Sequence, residues 1–358
     1  MRPIGSDCGS GKPAYRLIAV KVGCVLMSDL ASLSEQLTDE EWLSGVGEIG
    51  DQRGYYEPLG TRHGALFLDE SLETLVVCFD TIASARTGSA SGIPHGMLQA
   101  ELNGWSVLSL ISHDQSWFRD PAIYSYFDRL VDDAFFEDFD QVIFYGAGIN
   151  GYAAAAYSVA APGSKVILVA PQATLDPIIA PWDDRFTHMR RTDFQSRYGY
   201  APDMIDAADE VLIFFDPLEE LDAMHAALFR GAQVRHIRMR HAGARIGRDL
   251  QDMKVLSQVF RNLADDGISD SEVYSLLRRR RDYMPYLRNL LNRVHIEERH
   301  WLTALLCRSV LKQKETPRFR HHFELAEKKL AGMGMSLPQT RPVRKQNAAS
   351  LLPELKDT

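Results

Sequence analysis

The sequence lacks several features that would assign it to a protein class at once. Its four cysteines include no CxxC pair, so neither a common zinc site nor a disulfide framework is predicted. No uninterrupted apolar run approaches the roughly 18 residues that a membrane-spanning helix requires. The apolar stretch at residues 17–27 is interrupted by Lys21 and is followed by no small-residue cleavage site. These absences predict a protein without a membrane span in a reducing compartment, and the cytoplasm is the expected location.

Charge is unevenly distributed along the chain. The net charge is -8, yet residues 267–358 contain 18 Lys and Arg against 10 Asp and Glu. A basic segment can mark a nucleic-acid or membrane contact. However, the arginine run 278–281 is short, ends at Asp282, and has no aromatic-rich RNA-binding motif beside it. The pattern therefore favours a solvated basic helical face and argues against a nucleic-acid partner.

The middle of the chain alternates between two kinds of pattern. Short runs rich in Val, Ile and Phe have the composition of strands buried on both faces: 74–79, 106–111, 141–145, 165–170, 210–215 and 233–238. Helical patterns lie between them, for example at 121–136, 151–161 and 222–229. This alternation predicts an α/β fold with a mostly parallel sheet covered by helices. After about residue 250 only helical patterns remain, which predicts a C-terminal all-α appendage.

These patterns divide the chain into predicted segments. Thr38 to Glu41, just before Trp42, has the sequence of a helix capping box. The sequence that follows Met27 resembles that of a folded protein more than the sequence that follows Met1 does. We therefore expect Met27 to be the true start. The predicted segments are an extension at 1–26, an N-terminal helical segment at 27–70, the α/β domain at 71–265, a helical appendage at 266–336 and a loose tail at 337–358.

A glycine-rich turn is the most informative motif. Gly146, Gly148 and Gly151 follow a predicted strand and precede an alanine-rich helix, in the spacing GxGxxG. This spacing is typical of dinucleotide sites, where the backbone approaches a pyrophosphate. Such a site also needs an acidic residue at the end of the next strand, where this chain has Gln172. A nucleotide-binding oxidoreductase therefore stays as an alternative.

The same segment resembles the nucleophile elbow of the α/β-hydrolase fold. Bacterial members have G-x-S-x-G-G-Y followed by an alanine-rich helix, which is similar to residues 146–157 here. Three further segments resemble family motifs in the same order: Asp114 to Phe118, Val169 to Gln172, and Phe215 to Leu218 with Asp222 to His225. The resemblance covers roughly residues 70–250 and implies an α/β-hydrolase-like domain.

The resemblance also implies where a catalytic triad would stand. It places the nucleophile at Gly148, the acid at Asp216 and the base at Ala244, with the Ile149 N–H as an oxyanion donor. Glycine has no nucleophilic oxygen and alanine has no imidazole, so serine-type acyl transfer is not expected. We therefore predict a degenerate hydrolase-fold protein that binds a small molecule or a protein partner and needs no cofactor.

An enzyme with non-standard residues is the second alternative. His241 lies three residues before Ala244 and is a candidate displaced base, oriented by Asp216 or Asp222. Asp222 and His225 share one helix face, but a metal site needs more ligands than this pair supplies, so no metal is predicted.

Some bacterial relatives of this type are labelled phosphoadenosine phosphosulfate reductase. That family has an S-G-G-x-D-S loop and a C-terminal E-C-G-x-H cysteine, and this chain has neither. Cys307 lies in the apolar helical pattern Leu305 to Arg308 and is predicted to be a core residue. The motifs therefore do not support the label.

Overall fold

A computed structural model of the chain describes residues 37–88, 92–265 and 267–338. The predicted extension at 1–26, the start at Met27 and the tail beyond residue 338 lie outside these ranges. The chain divides into two compact units, with the boundary after Arg279.

The first unit is built on a sheet to which its described residues contribute eight strands. The strands are β1 (Gly54–Leu59), β2 (His63–Leu68), β3 (Thr74–Thr81), β4 (Ser106–Ser112), β5 (Gln141–Ala147), β6 (Lys165–Val169), β7 (Glu210–Phe215) and β8 (Val234–Arg238). Their order is β1-β2-β4-β3-β5-β6-β7-β8. The pairs β1 with β2 and β2 with β4 are antiparallel, and the other five pairs are parallel. The predicted mostly parallel sheet is confirmed.

Helices cover this sheet, as predicted. In the first unit they are α1 (Asp39–Arg53), α2 (Ile82–Gly88), α3 (His95–Asn103), α4 (Pro121–Asp132), α5 (Ile149–Tyr157), α6 (Ala201–Met204), α7 (Glu220–Leu228), α8 (Ile246–Asp252), α9 (Val255–Ala264) and α10 (Asp270–Leu276). The predicted capping box is present, since Thr38 and Glu41 bond reciprocally at the start of α1. The predicted fold class, an α/β fold with a mostly parallel sheet covered by helices and with further helices at the C-terminal end of the described chain, is confirmed.

The two faces of the sheet pack against different helices. Alternate residues along each strand point to opposite faces, so β5 sends Phe144 to one side and Tyr145 to the other. Phe144 belongs to a core that includes Phe127 of α4 and Tyr157 of α5. Tyr145 instead has its ring 5.3 Å from that of Phe260 in α9. Burial on both faces explains why these strands are continuously apolar.

The sequence-based expectation of a wholly helical segment at 27–70 is wrong for residues 54–68. These residues form the hairpin β1–β2, whose turn contains Gly60 in a left-handed conformation at φ 65. Pro58 argues against a central strand, but β1 lies at the edge of the sheet, where a missing N–H is tolerated. The apolar run of β2 and the glycine turn before it were the available signals.

The second unit is helical in its described part. Its helices are α11 (Met284–Ile296), α12 (His300–Leu311) and α13 (Pro317–Gly332). Ala304 of α12 packs with Ala326 and Leu330 of α13 in a small core. Cys307 is fully buried, as predicted, and burial raises the pKa of its thiol to about 12. No described helix, in either unit, combines the length and apolar character needed to cross a bilayer.

Candidate functional site

A cavity of about 810 Å³ opens at the carboxyl ends of the parallel strands. Its wall includes Asp80 from the end of β3, Gly148 after β5 and Ala170 after β6. The chain that follows β8 closes another side with Ala244 and Arg248. Ligands of open α/β sheets bind at this end of the strands, so the cavity is the leading site candidate.

Gly148 of the glycine turn lines this cavity, and a different structural constraint applies to each of the three glycines of the turn. A Cβ on Gly146 would lie 2.1 Å from the backbone oxygen of Asn150, and a Cβ on Gly151 would lie 3.1 Å from Pro171. Gly148 has φ 59 and ψ -123, a sharp turn that leads into α5. Its missing Cβ would meet open space, with Gln172 Oε1 the nearest atom at 3.9 Å. The close contacts account for Gly146 and Gly151 without a cofactor.

The three positions that the resemblance assigns to a triad lie near one another. Gly148 and Ala244 line the same cavity. Asp216 Oδ2 accepts a hydrogen bond of 2.9 Å from the Gly243 N–H, next to Ala244, and Asp216 Oδ1 accepts one of 3.0 Å from the Leu218 N–H. The carboxylate of Asp216 therefore accepts hydrogen bonds from backbone N–H groups and not from an imidazole. Neither Gly148 nor Ala244 has a side chain that could act as a nucleophile or a base. Ile149 begins α5 directly after Gly148, as an oxyanion donor would.

The suggested substitute residues His241 and Asp222 differ in their position relative to the cavity. His241 has a left-handed backbone with φ 69 and is not among the described residues that line the cavity. Asp222 lines the cavity, but its Oδ1 accepts a 2.6 Å hydrogen bond from Arg185.

His225, the third suggested substitute, is buried, and both of its ring nitrogens are hydrogen-bonded. Its Nδ1 accepts a 3.1 Å hydrogen bond from the Ala173 N–H, so Nε2 carries the proton and donates to Asp183 at 2.8 Å. Burial opposes the charge on Asp183, but hydrogen bonds from His225 and Arg185 outweigh it and lower the pKa of that carboxyl. No group of His, Cys, Asp or Glu within the described ranges could hold a metal ion.

Asp80 is the residue that sequence reasoning missed. It lines the cavity, accepts a 2.9 Å hydrogen bond from Ser84 Oγ at Oδ1, and has no partner for its buried Oδ2 among the described residues. Burial raises the pKa of Asp80 to about 7, although the hydrogen bond from Ser84 opposes this rise. The available signal was a carboxylate at the end of a buried strand, Phe79-Asp80-Thr81.

The wall of this cavity contains buried polar atoms that have no hydrogen-bond partner among the described residues. Four lining residues have one such atom: Asp80 Oδ2, His95 Nε2, Asn150 Oδ1 and Gln172 Oε1. Burial lowers the pKa of His95 to about 4, so its imidazole is neutral at pH 7. Buried polar groups normally have hydrogen-bond partners, and each exception needs an explanation.

The cationic side of the cavity is formed by three arginines, Arg185, Arg245 and Arg248. Arg185 is neutralised by Asp183 at 2.8 Å and Asp222 at 2.6 Å. Arg245 and Arg248 are exposed, and Arg248 pairs with Asp252 at 3.6 Å. The lining of the cavity therefore contains two exposed arginines besides the paired Arg185.

Several solved structures are similar to this chain. An esterase from the hyperthermophilic archaeon Pyrobaculum calidifontis is 16% identical, with 67% of this chain and 97% of the esterase covered, at a TM-score of 0.38. A capsule O-acetyltransferase of Neisseria meningitidis serogroup A is 14% identical, with 59% and 95% covered, at a TM-score of 0.38. A fluorophosphonate-binding serine hydrolase of Staphylococcus aureus is 12% identical, with 59% and 96% covered, at a TM-score of 0.38. At these identities and TM-scores the likeness supports no conclusion about the activity of this chain. No protein-family model and no curated protein matches the sequence.

Proposed function

We propose that this α/β-hydrolase-like protein binds a small molecule in the cavity above Gly148 and does not carry out serine-type acyl transfer. The observation that carries the proposal is the combination of an open cavity with a glycine at the position of the nucleophile. The volume of about 810 Å³ lies in the range of small-molecule sites. The four unpartnered polar atoms in its wall are suited to a polar occupant.

The catalytic part of the proposal is tested with a panel of p-nitrophenyl acyl esters. We expect the wild-type protein to give no turnover above background, because no side-chain nucleophile stands at Gly148 and no base at Ala244. Asp216→Asn and His241→Ala are assayed in parallel. Turnover that either substitution abolishes would contradict the proposal.

The binding part is tested by thermal shift with a library of polar metabolite-sized compounds. Ala244 is exposed and lines the cavity, so Ala244→Trp is expected to obstruct it. Ala227 is an exposed alanine of α7 that does not line the cavity, and Ala227→Trp is the matched control. A true occupant should stabilise the wild type and the Ala227→Trp variant and lose its effect on Ala244→Trp. A library with no such compound would count against the proposal.

The second candidate is an esterase- or acyltransferase-like enzyme with non-standard residues, and Asp80 is the observation that favours it. A carboxyl group with a pKa of about 7 in a cavity is suited to general-base activation of water. In the same ester panel, turnover that rises with pH near 7 and is lost in Asp80→Asn would establish this candidate. Turnover that survives in Asp80→Asn would remove Asp80 from consideration.

A further inference from the structure

One carboxyl group in the cavity wall indicates the charge of the occupant, an inference that rests on the proposed function. Asp80 lines the cavity, and its Oδ2 is buried without a hydrogen-bond partner among the described residues. We propose that the cavity takes a small primary amine, whose ammonium group pairs with the carboxylate of Asp80.

The hydrogen bonds around Asp80 leave most of its acceptor sites unused. Ser84 Oγ donates to Asp80 Oδ1 at 2.9 Å and accepts from Asn150 Nδ2 at 3.2 Å, so one hydroxyl group links the two residues. An ionised carboxylate has about four acceptor sites, and Ser84 occupies one of them. The Oδ1 of Asn150 has no partner among the described residues either. An ammonium group has three N–H donors, and this part of the wall offers acceptors for them.

Asp80 has no cationic partner within the described part of the chain. Only burial and the hydrogen bond from Ser84 shift the pKa of its carboxyl, which is about 7. A guanidinium group nearby would favour the ionised carboxylate and lower that pKa. The three arginines of the lining therefore do not act as the counter-ion of Asp80.

Those arginines leave room for a cationic ligand at the buried carboxyl. Arg185 pairs with Asp183 and Asp222. Arg245 and Arg248 are exposed, so water and salt screen their charges. Charges that are buried together are screened much less than exposed ones. The electrostatic preference at the buried carboxyl is therefore set by the carboxyl itself.

A buried carboxylate without a cation is unfavourable, and the free energy is lowered in one of two ways. The carboxyl binds a proton, which is why burial raises its pKa, or it pairs with a cation. A neutral ligand leaves the charge in place, and an anionic ligand adds to it. His95 Nε2 and the amide group of Gln172 also belong to the wall and suit donors as well as acceptors, so they do not decide the charge of the ligand. An ammonium group replaces the proton of Asp80, which leaves to the solvent.

This exchange makes the affinity depend on pH. An alkyl ammonium group stays charged between pH 6 and pH 8, whereas Asp80, with a pKa of about 7, ionises over that range. The affinity should therefore rise about tenfold from pH 6 to pH 8. Burial lowers the pKa of His95 to about 4 and raises the pKa of Tyr145, so neither of these lining residues titrates in that range. Asp222, the other lining carboxylate, is paired with Arg185.

The test is isothermal titration calorimetry of the full chain at pH 8, with probes that differ in charge on one carbon skeleton. One series is phenethylamine, 2-phenylethanol and phenylacetate, and the other is butylamine, 1-butanol and butyrate. We expect at least one amine to bind tenfold or more tightly than its alcohol and its carboxylate counterparts. At pH 7, titrations in two buffers of different ionisation enthalpy should show the release of about half a proton for each amine bound.

Two variants assign this preference to Asp80. Asp80→Asn keeps the shape of the side chain and removes its charge, so it should reduce the preference for the amine over the alcohol at least tenfold and abolish the pH dependence. A purely structural role would weaken both ligands alike. Asp222→Asn makes the same change at a lining carboxylate that is paired with Arg185, and it should alter the preference less than threefold. The pH profile and the proton release are measured on the wild type and need no variant.

Three results would overturn the inference. They are an alcohol or a carboxylate that binds as tightly as its amine, an affinity for the amine that does not rise with pH, and a preference for the amine that survives in Asp80→Asn. If no amine binds but a neutral or anionic compound gives a stabilisation that Ala244→Trp abolishes, the ligand class is wrong while the proposed function stands. If no compound of any charge does so, both fail.

Discussion

The three glycines of the turn differ in the constraint that a side chain at each position would violate. Gly146 faces the backbone of Asn150 and Gly151, Gly151 faces Pro171, and Gly148 faces open space but has φ 59. Backbone atoms cannot move aside cheaply, whereas a non-glycine residue in a left-handed conformation costs about 1–2 kcal/mol. The same motif therefore combines two packing requirements with one conformational requirement.

Substituting each glycine by alanine should separate these requirements. We expect Gly146→Ala to lower the free energy of unfolding most, by about 3 kcal/mol or more, because its Cβ would overlap backbone. Gly148→Ala should cost about 1–2 kcal/mol, and Gly151→Ala an intermediate amount. Urea unfolding of the three variants measures the order. A larger loss for Gly148→Ala than for Gly146→Ala would contradict the packing explanation.

Asp80 should make stability depend on pH in a direction opposite to that of a paired carboxylate. Its folded pKa of about 7 lies above its usual value of 3.8, so the unfolded chain releases this proton more readily. Its contribution to stability is therefore present below about pH 4 and is lost as the pH rises to about 7, by about 1.4 kcal/mol for each unit of pKa difference. Asp80→Asn, which cannot ionise, should lack this decline.

Urea unfolding between pH 4 and pH 8 compares the two proteins. Asp183→Asn is unsuitable as a control because His225 and Arg185 depend on that carboxylate. Glu57→Gln, a change at an exposed ion pair with Arg129, is a better one and should leave the slope unchanged. Parallel pH profiles for the wild type and Asp80→Asn would show that Asp80 ionises normally.

At the scale of the elements, the side chain of Asp216 forms hydrogen bonds with the connection after β7 and with the connection after β8. It ends the buried run of β7, and its carboxylate bonds to the Leu218 N–H ahead of α7 and to the Gly243 N–H after β8. Asp216 is 2% exposed, so these N–H groups would lose their partner in a place that water barely reaches. Asp216, which the resemblance places at the acid position, therefore accepts hydrogen bonds from backbone N–H groups.

This role predicts a loss of stability. Asp216→Ala should lower the free energy of unfolding by about 1–3 kcal/mol, because buried donors are left unpaired. Asp216→Asn keeps one acceptor oxygen and should lose less. Chemical denaturation measures both, with Asp222→Asn as a comparison that leaves the Gly243 contact intact. Unchanged stability of Asp216→Ala would show that the two hydrogen bonds contribute nothing.

The element patterns show where sequence reasoning succeeds and where it fails. Strands β3 to β7 are predictable because burial on both faces favours nearly continuous apolar residues. The edge strand β8 is less buried and contains Arg235, His236 and Arg238. The hairpin β1–β2 was missed because Gly54, Pro58 and Gly64 interrupt its apolar pattern. Gly64 is required by the close approach of Tyr56, whose hydroxyl would lie 2.3 Å from a Cβ there. A cross-strand contact of this kind has no local signal.

At the scale of the whole molecule, the nucleotide-binding alternative makes a clear prediction. The GxGxxG spacing is explained by packing at Gly146 and Gly151. The strand after the turn, β6, ends at Val169, and the residues that follow it, up to Gln172, include no acidic residue for a ribose. We therefore expect no thermal stabilisation by millimolar NAD, NADP or FAD. A ligand at one hundred times its Kd would add about 2.7 kcal/mol, which such a measurement detects easily. A clear shift that Ala244→Trp abolishes would restore the alternative.

The sequence by itself determined the fold class, most of the strands and the glycine at residue 148, because apolar periodicity and the identity of residue 148 are local facts. It also indicated the positions Asp216 and Ala244 through the order of its motifs. Only the tertiary structure decided that His225 is buried against Asp183, that Asp216 holds the Gly243 N–H, and that Asp80 shares a cavity with Gln172. These facts depend on which residues meet across strands far apart in the chain. These tertiary contacts, and the burial that they cause, determine whether a carboxylate or an imidazole is available for chemistry.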